Sequence, residues 1–232
     1  MASIPFRSGL VCPTTSRPIF LPNSFLKNVH LIQHPLAQAR LAILRDKTTL
    51  HPEFRRALGQ LGLHLLHEAT AGLPTKQKRV RTPLGPAPTI VPTREILLVP
   101  ILRAGQGLIT LADQILPEAR IGYLGIARND TTLQPEWYLE KLPPRLGRFE
   151  VFVVDPMLAT AGSAIAAGKL LQKRGAKNIR FIHALTAPAG LRALRRNFPE
   201  APIYTAALDS HLNENGYIVP GLGDAGDRCF GC

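Results

Sequence analysis

Asp155 closes an apolar run, Val151-Phe152-Val153-Val154, and is followed by Pro156, Met157, Leu158, Ala159, Thr160, Ala161, Gly162 and Ser163. The run is short, apolar and mostly β-branched, which predicts a strand buried on both faces of a parallel sheet. Ala164 to Arg174 then reads as a helix, stopped by Gly175. A strand, a loop of small and hydroxyl residues and a helix in that order aim backbone N–H groups and the positive end of the helix at an anion. Phosphate is therefore the expected ligand. Asp155 would face the same crevice, outside the carboxyl ends of the strands. A carboxylate repels phosphate but suits sugar hydroxyls or a metal, so a phosphorylated sugar satisfies both halves of the segment. No Gly-Lys-Ser/Thr follows and no GxGxxG is present, which excludes a P-loop and a dinucleotide turn.

Two further stretches carry chemistry of the same sign. Ile96 to Leu102 reads as a second buried strand, ending in Arg103-Ala104-Gly105-Gln106-Gly107, with a helix expected from Leu108 to Leu116. A guanidinium is always charged and can hold a diphosphate through two parallel hydrogen bonds, and the glycines allow close backbone approach. A third strand, Ile121 to Ala127, ends at Arg128, the second cation expected on phosphate. Near the carboxyl end, residues 213–227 hold too many glycines and turn formers for regular structure. An ordered loop of that kind brings backbone N–H and C=O groups to a flat ligand.

The elements that must position these residues follow from the pattern. Helices are expected at Ala37 to Arg45 and at Pro52 to Thr70, the second with Phe54, Leu58, Leu61, Leu65 and Leu66 on one face and Gly72 as its stop. Residues 73–93, rich in Pro and basic side chains, suit a hairpin or an exposed loop. Strands at Asn178 to Leu185 and Pro202 to Ala207 flank a helix from Leu191 to Asn197, and Asp209 closes the last strand. Strands alternating with helices define an α/β class, a doubly wound and mostly parallel sheet. Residues 29–232 form one domain. Residues 1–28 hold four prolines and no acid, and read as an irregular or subunit-clasping extension. An organellar transit segment is the other reading of that composition.

Bulk composition narrows the partners. At 232 residues and 45% hydrophobic the chain can bury a full core, and its apolar runs are broken too early for a transmembrane helix. The net charge of +12 raises nucleic acid as a partner, but the bases are scattered, aromatics are 6% and no nucleic-acid motif appears. A polyanionic small substrate accounts for the basic site residues instead. Cys12, Cys229 and Cys232 make no disulfide framework, and Cys229/Cys232 lack a second ligand pair for zinc. His64 and His67, on one helix face, read as structural too, so no metal ligands are assigned. A cytoplasmic setting is expected.

The segment Val-Asp-Pro-Met-Leu-Ala-Thr resembles the phosphoribosyl-diphosphate (PRPP) signature of type I phosphoribosyltransferases, in the wording of the uracil phosphoribosyltransferase family. Pro156 stands where most type I enzymes carry a second acid, and Ala161 where this family usually has Gly. Pro-Ile-Leu-Arg-Ala-Gly at Pro100 to Gly105 is similar to its diphosphate loop. The stretch from Thr132 through Leu133, Pro135, Tyr138, Lys141 and Leu142 is similar to a flexible arm over the active site. Asn213 to Asp227 is similar, nearly letter for letter, to its uracil loop.

The resemblance spans about residues 29–232 and implies conversion of uracil and PRPP to UMP and diphosphate, in pyrimidine salvage. It implies PRPP contacts from Arg103, Arg128, Asp155, the 156–163 loop and Asp224. It also implies uracil contacts from Ile218, Gly223, Asp224 and Ala225, with Arg103, Arg128, Asp155 and Asp224 as the catalytic set. Mg²⁺ carried with PRPP, GTP as an allosteric activator, and a homodimer or homotetramer belong to the same implication. A non-catalytic or RNA-binding pyrimidine regulator of the same fold is the alternative.

Overall fold

The computed structural model describes residues 27–128 and 135–232. In chain order these form β1 (Val29–Leu31), α1 (Pro35–Arg45), α2 (His51–Ala71), β2 (Thr75–Thr82), β3 (Gly85–Pro92), β4 (Glu95–Leu102) and α3 (Gly105–Leu108). There follow β5 (Arg120–Ile121), β6 (Tyr123–Arg128), β7 (Pro135–Lys141), β8 (Phe149–Val154), β9 (Met157–Leu158) and α4 (Gly162–Lys173). The chain then runs through β10 (Asn178–Thr186), α5 (Pro188–Asn197), β11 (Ile203–Leu208), β12 (His211–Leu212), β13 (Ile218–Val219) and α6 (Ala225–Phe230).

The main sheet has the order β1-β11-β10-β8-β4-β6-β7. Every pairing in it is parallel except β6 with β7. The expected doubly wound sheet is present. Its strand order reverses at β4 and β8, because the chain leaves β4 for β6 on one side and returns to β8 on the other. Ligands of open α/β sheets bind outside the carboxyl ends of strands at such a reversal. β4 ends next to Arg103 and β8 next to Asp155.

All six residues of β8 are buried, as the apolar run requires of a strand with layers on both faces. One core layer packs α1, α2 and the carboxyl-terminal segment against the sheet; the other packs α4 and α5. The predicted apolar face of α2 is wholly buried. No helix among the described residues is long and apolar enough to cross a membrane.

Three expectations need correction. The single helix expected over 108–116 is one short turn, α3, then a 3-10 turn at Ala112–Gln114, because Gly105 and Gly107 start the helix early and leave it weak. The strand expected at 121–127 is split at Gly122 into β5 and β6. The stretch 213–227 is more regular than expected: β13 pairs antiparallel with β12, and α6 begins at Ala225. Residues 73–93 take the first of their two expected forms, a β2–β3 hairpin, with the whole of β2 exposed. The arm residues Thr132 and Leu133 lie outside the described residues.

α2 approaches the segment after β4 more closely than any side chain permits. A Cβ built on Gly62 would lie 1.8 Å from the Leu108 carbonyl oxygen. Gly62→Ala gains up to about 1 kcal/mol of helix propensity. Overpacking against backbone costs about 1–3 kcal/mol or more, so the clash wins. Thermal unfolding of G62A should show a net loss of stability.

Candidate active site

Arg103, Asp155 and the carboxyl-terminal loop come from three distant parts of the chain and meet at the edge of β4 and β8. Asp155 follows β8 directly. Its N–H continues the ladder to the Ile182 carbonyl at 3.1 Å. Protein packs densely around it, with part of its surface open to the crevice. Burial pushes the Asp155 carboxyl up to about 7; the Asp224 charge adds to the rise, and a hydrogen bond from the Met157 N–H opposes it. The effect of Asp224 on Asp155 places the two carboxylates in one electrostatic site.

The loop after Asp155 delivers an anion cradle. α4 starts at Gly162 with no side-chain cap and no acid in its first turn. The first intrahelical bond runs from Ile165 N–H to the Ala161 carbonyl at 2.9 Å, so the N–H groups of Gly162, Ser163 and Ala164 are the orphan donors of the helix start. Thr160 and Gly162 are exposed beside them. Ala161 takes φ 69° and ψ 8°, the left-handed region, although it is not glycine. That backbone costs a β-carbon about 1–2 kcal/mol. The residue is only 5% exposed and its methyl lies in the α4–α5 core layer, which returns about 0.8 kcal/mol. The buried contact offsets part of the backbone cost, and the loop keeps its left-handed shape without the expected glycine.

Arg103 projects into solvent at the end of β4, across a cis Leu102–Arg103 peptide. Its Nη2 lies 3.3 Å from Asp227 Oδ1 and its Nη1 donates to Cys232 Sγ at 3.0 Å, both on the segment beginning with α6. An ion pair this exposed is worth about 0–1 kcal/mol, weak enough for a diphosphate to replace. The glycines after Arg103 serve packing: a Cβ on Gly105 would meet the Val154 carbonyl oxygen at 2.4 Å, and one on Gly107 would meet Leu58 at 2.6 Å. Arg128 ends β6, opposite Pro135 in β7, and its side chain lies outside the described residues.

The carboxyl-terminal loop is held by two arginines that the sequence did not single out. Arg45, last residue of α1, makes a two-pronged pair with Asp209, Nη2 to Oδ1 at 2.6 Å and Nη1 to Oδ2 at 2.8 Å. Asp209 is completely buried and also accepts the Gly221 N–H at 2.8 Å, while Arg45 Nη1 donates to the Gly221 carbonyl at 2.9 Å. Gly221 has φ +63°, and a Cβ there would lie 2.0 Å from the Ile218 carbonyl oxygen, so the loop folds back on itself where only glycine fits. Arg228 of α6 donates to the carbonyls of Leu44, Asp46 and Leu222 and lies over the Phe54 ring at 4.5 Å. Asp224 caps α6, its Oδ1 accepting the Gly226 and Asp227 N–H groups at 2.8 and 3.0 Å. Ile218 is buried, Gly223 is exposed at φ +79°, and Ala225 opens α6. The signal for the Arg45 anchor was present only as an acid closing β11; its partner is 164 residues away.

An uncapped helix start, a partly buried acid and an exposed arginine lie along the reversal of a parallel sheet, and the chain falls in the type I phosphoribosyltransferase class. A family model described as uracil phosphoribosyltransferase matches residues 31–232. A uracil phosphoribosyltransferase of Dictyoglomus turgidum is 48% identical over 204 residues, 88% of this chain and 99% of the relative. One of Thermoanaerobacter sp. strain X514 is 45% identical over 206 residues, 88% of this chain and 98% of the relative. The solved structure of the AQ2163 protein from Aquifex aeolicus superposes with a TM-score of 0.82 at 37% identity, covering 87% of this chain and 97% of that one. The chain belongs to the uracil phosphoribosyltransferase family.

Two outcomes follow from this geometry. Asp209→Ala should cost about 3 kcal/mol, the low end for a broken buried pair, because it leaves the part-buried Arg45 guanidinium without its counter-charge. It should also raise the KM for uracil more than that for PRPP, read from urea unfolding and steady-state kinetics. Asp155 is protonated below its pKa and a hydroxyl-accepting carboxylate above it. The kcat/KM for PRPP should therefore climb as pH rises through about 7, and Asp224→Asn, which removes one cause of the raised pKa, should move that limb to lower pH.

Proposed function

We propose that the crevice transfers the 5-phosphoribosyl group of PRPP to N1 of uracil, giving UMP and diphosphate. The observation that carries this reading is the meeting of Arg103, Asp155 and the Asp224 loop in one site: Asp224 acts electrostatically on Asp155, and Arg103 is paired with Asp227, three residues after Asp224 in the first turn of α6. Each half of the substrate pair thus has its own wall, and the bond to be broken lies between them.

The 5′-phosphate takes the orphan N–H groups at the start of α4, with Thr160 and Ser163 hydroxyls alongside. Asp155 accepts the ribose hydroxyls. Arg103, released from Asp227, takes the diphosphate, with Arg128 as the second cation. Departure of diphosphate leaves positive charge on the ribose ring, and negative charge grows on the leaving oxygens. Preorganised guanidinium charge aimed at those oxygens lowers the barrier, and holding uracil in line removes the entropy of encounter. The Asp224 charge is felt at Asp155, so a cation arriving on PRPP would be attracted to this part of the crevice. Mg²⁺ bound there would supply further charge neutralisation of the leaving diphosphate. Asp224 is directed by its cap bonds to α6, which suits orientation of the ribosyl group more than proton removal. Uracil presents two carbonyl acceptors flanking an N–H donor, and the backbones of Ile218, Gly223 and Ala225 are matched to that pattern.

Assembly into homodimers or homotetramers, activation by GTP and a cytoplasmic setting are part of the same proposal and rest on the family alone. The domain spans 29–232 in this reading. The regulator alternative is favoured by no feature except the net charge of +12.

Diphosphate release from PRPP and Mg²⁺, with uracil, cytosine, hypoxanthine or orotate added in turn, tests the reading. Turnover is expected with uracil alone, and Asp155→Asn should lower kcat/KM for PRPP by about 10²-fold, the scale of a charge-assisted hydrogen-bond pair lost. Silence with every base, with and without GTP, would sink it.

A further inference from the structure

β10 carries a histidine wholly inside the sheet, beside the acid of the site. His183 is completely buried, with its ring parallel to that of Phe181 at 6.5 Å between centroids. In a regular parallel ladder a residue that donates its N–H to one position of the neighbouring strand accepts from the residue two further on. Asp155 donates to the Ile182 carbonyl, so its own carbonyl should accept from Ala184. It does not. The Ala184 and Leu185 N–H groups both go to the Pro156 carbonyl, at 2.9 Å each. The Asp155 carbonyl is thereby displaced from the ladder, and His183 Nδ1 meets it at 2.7 Å.

A carbonyl only accepts, so Nδ1 carries the proton and Nε2 is the bare nitrogen. Burial holds the ring neutral, lowering its pKa to about 4 against the opposing Asp155 hydrogen bond. Nε2 is buried without a hydrogen-bond partner among the described residues. An unpartnered buried nitrogen is unfavourable, and an apolar side chain would avoid it. What the imidazole supplies that an apolar residue cannot is the single donor on the displaced carbonyl.

We propose that His183 is a positioning residue of the PRPP site: its Nδ1–H holds the peptide of Asp155 where β8 leaves the ladder, and so sets the direction in which Asp155 presents its carboxylate to the ribose. The inference rests on Asp155 being the ribose ligand. His183 itself touches no substrate; it acts through the peptide plane. A turn of that plane about the end of β8 would swing the carboxylate out of reach while leaving the uracil loop, held separately by Arg45 and Asp209, in place.

The test compares three substitutions in the full chain. His183→Phe keeps the ring and removes the donor, His183→Val removes both, and His183→Asn offers an amide N–H near the Nδ1 position. Both donor-free variants should raise the KM for PRPP about fivefold, the effect of one ordinary hydrogen bond. Uracil KM should stay unchanged, and H183N should stay within about twofold of wild type on both substrates, as a retained donor requires. A folded H183F or H183V with wild-type PRPP KM overturns the proposal. So does a rise shared equally by both substrates, or an H183N as impaired as H183F. Should neither donor-free chain fold, H183N decides: wild-type PRPP KM sustains the donor's role and a raised one overturns it. Asp155→Asn is measured alongside. If it leaves PRPP KM and kcat unchanged, the ribose-ligand reading falls; if it impairs them while the donor-free variants do not, only the role of His183 falls.

Discussion

The buried pair of Arg45 and Asp209 is the tie on which the arrangement of the site depends. Asp209 has no contact with solvent, so its charge is tolerable only with a guanidinium fitted to both oxygens. The same carboxylate accepts the Gly221 N–H, and the same guanidinium donates to the Gly221 carbonyl. Three parts of the chain, the end of α1, the end of β11 and the loop before α6, are therefore joined at one point. Arg228 repeats the device from the other end of the loop, using the carbonyls left free at the end of α1. A loop rich in glycine would otherwise sample many shapes; here both of its flanks are fixed by charge-assisted bonds.

The crevice balances opposed charges. Burial, and after it the Asp224 charge, raise the cost of ionising Asp155, while Arg103 stands paired with Asp227. In the free protein the exposed cation rests on an exposed acid, at little energetic depth. A diphosphate carries more charge than one carboxylate and can take both arms of the guanidinium. In the proposed reaction, diphosphate would exchange that weak contact of Arg103 for a stronger one.

Ala161 shows how much latitude a phosphate loop has. A left-handed non-glycine residue is strained, but its methyl is covered by the α4–α5 layer, and the helix start keeps its unpaired donors pointing outward. Glycine would relax the backbone and vacate the core contact.

Most strand and helix identities and the parallel sheet were legible in the sequence, as was the position of Arg103 and Asp155 at strand ends. Each depends on local order: apolar runs that must be buried, acids and cations at strand ends, glycines where backbone must turn. The weak helix after Gly105, the split at Gly122 and the short α6 were misread, because there close packing rather than local propensity sets the boundaries. Arg45, Arg228 and His183 were not legible at all. Arg45 is one of many arginines until β11 brings Asp209 to it, and His183 is one residue of a strand until the ladder at Pro156 leaves a carbonyl unfilled. The sequence by itself determined which segments carry chemistry. Only the tertiary structure decided which distant charges are buried together, since that depends on what the solvent can no longer reach.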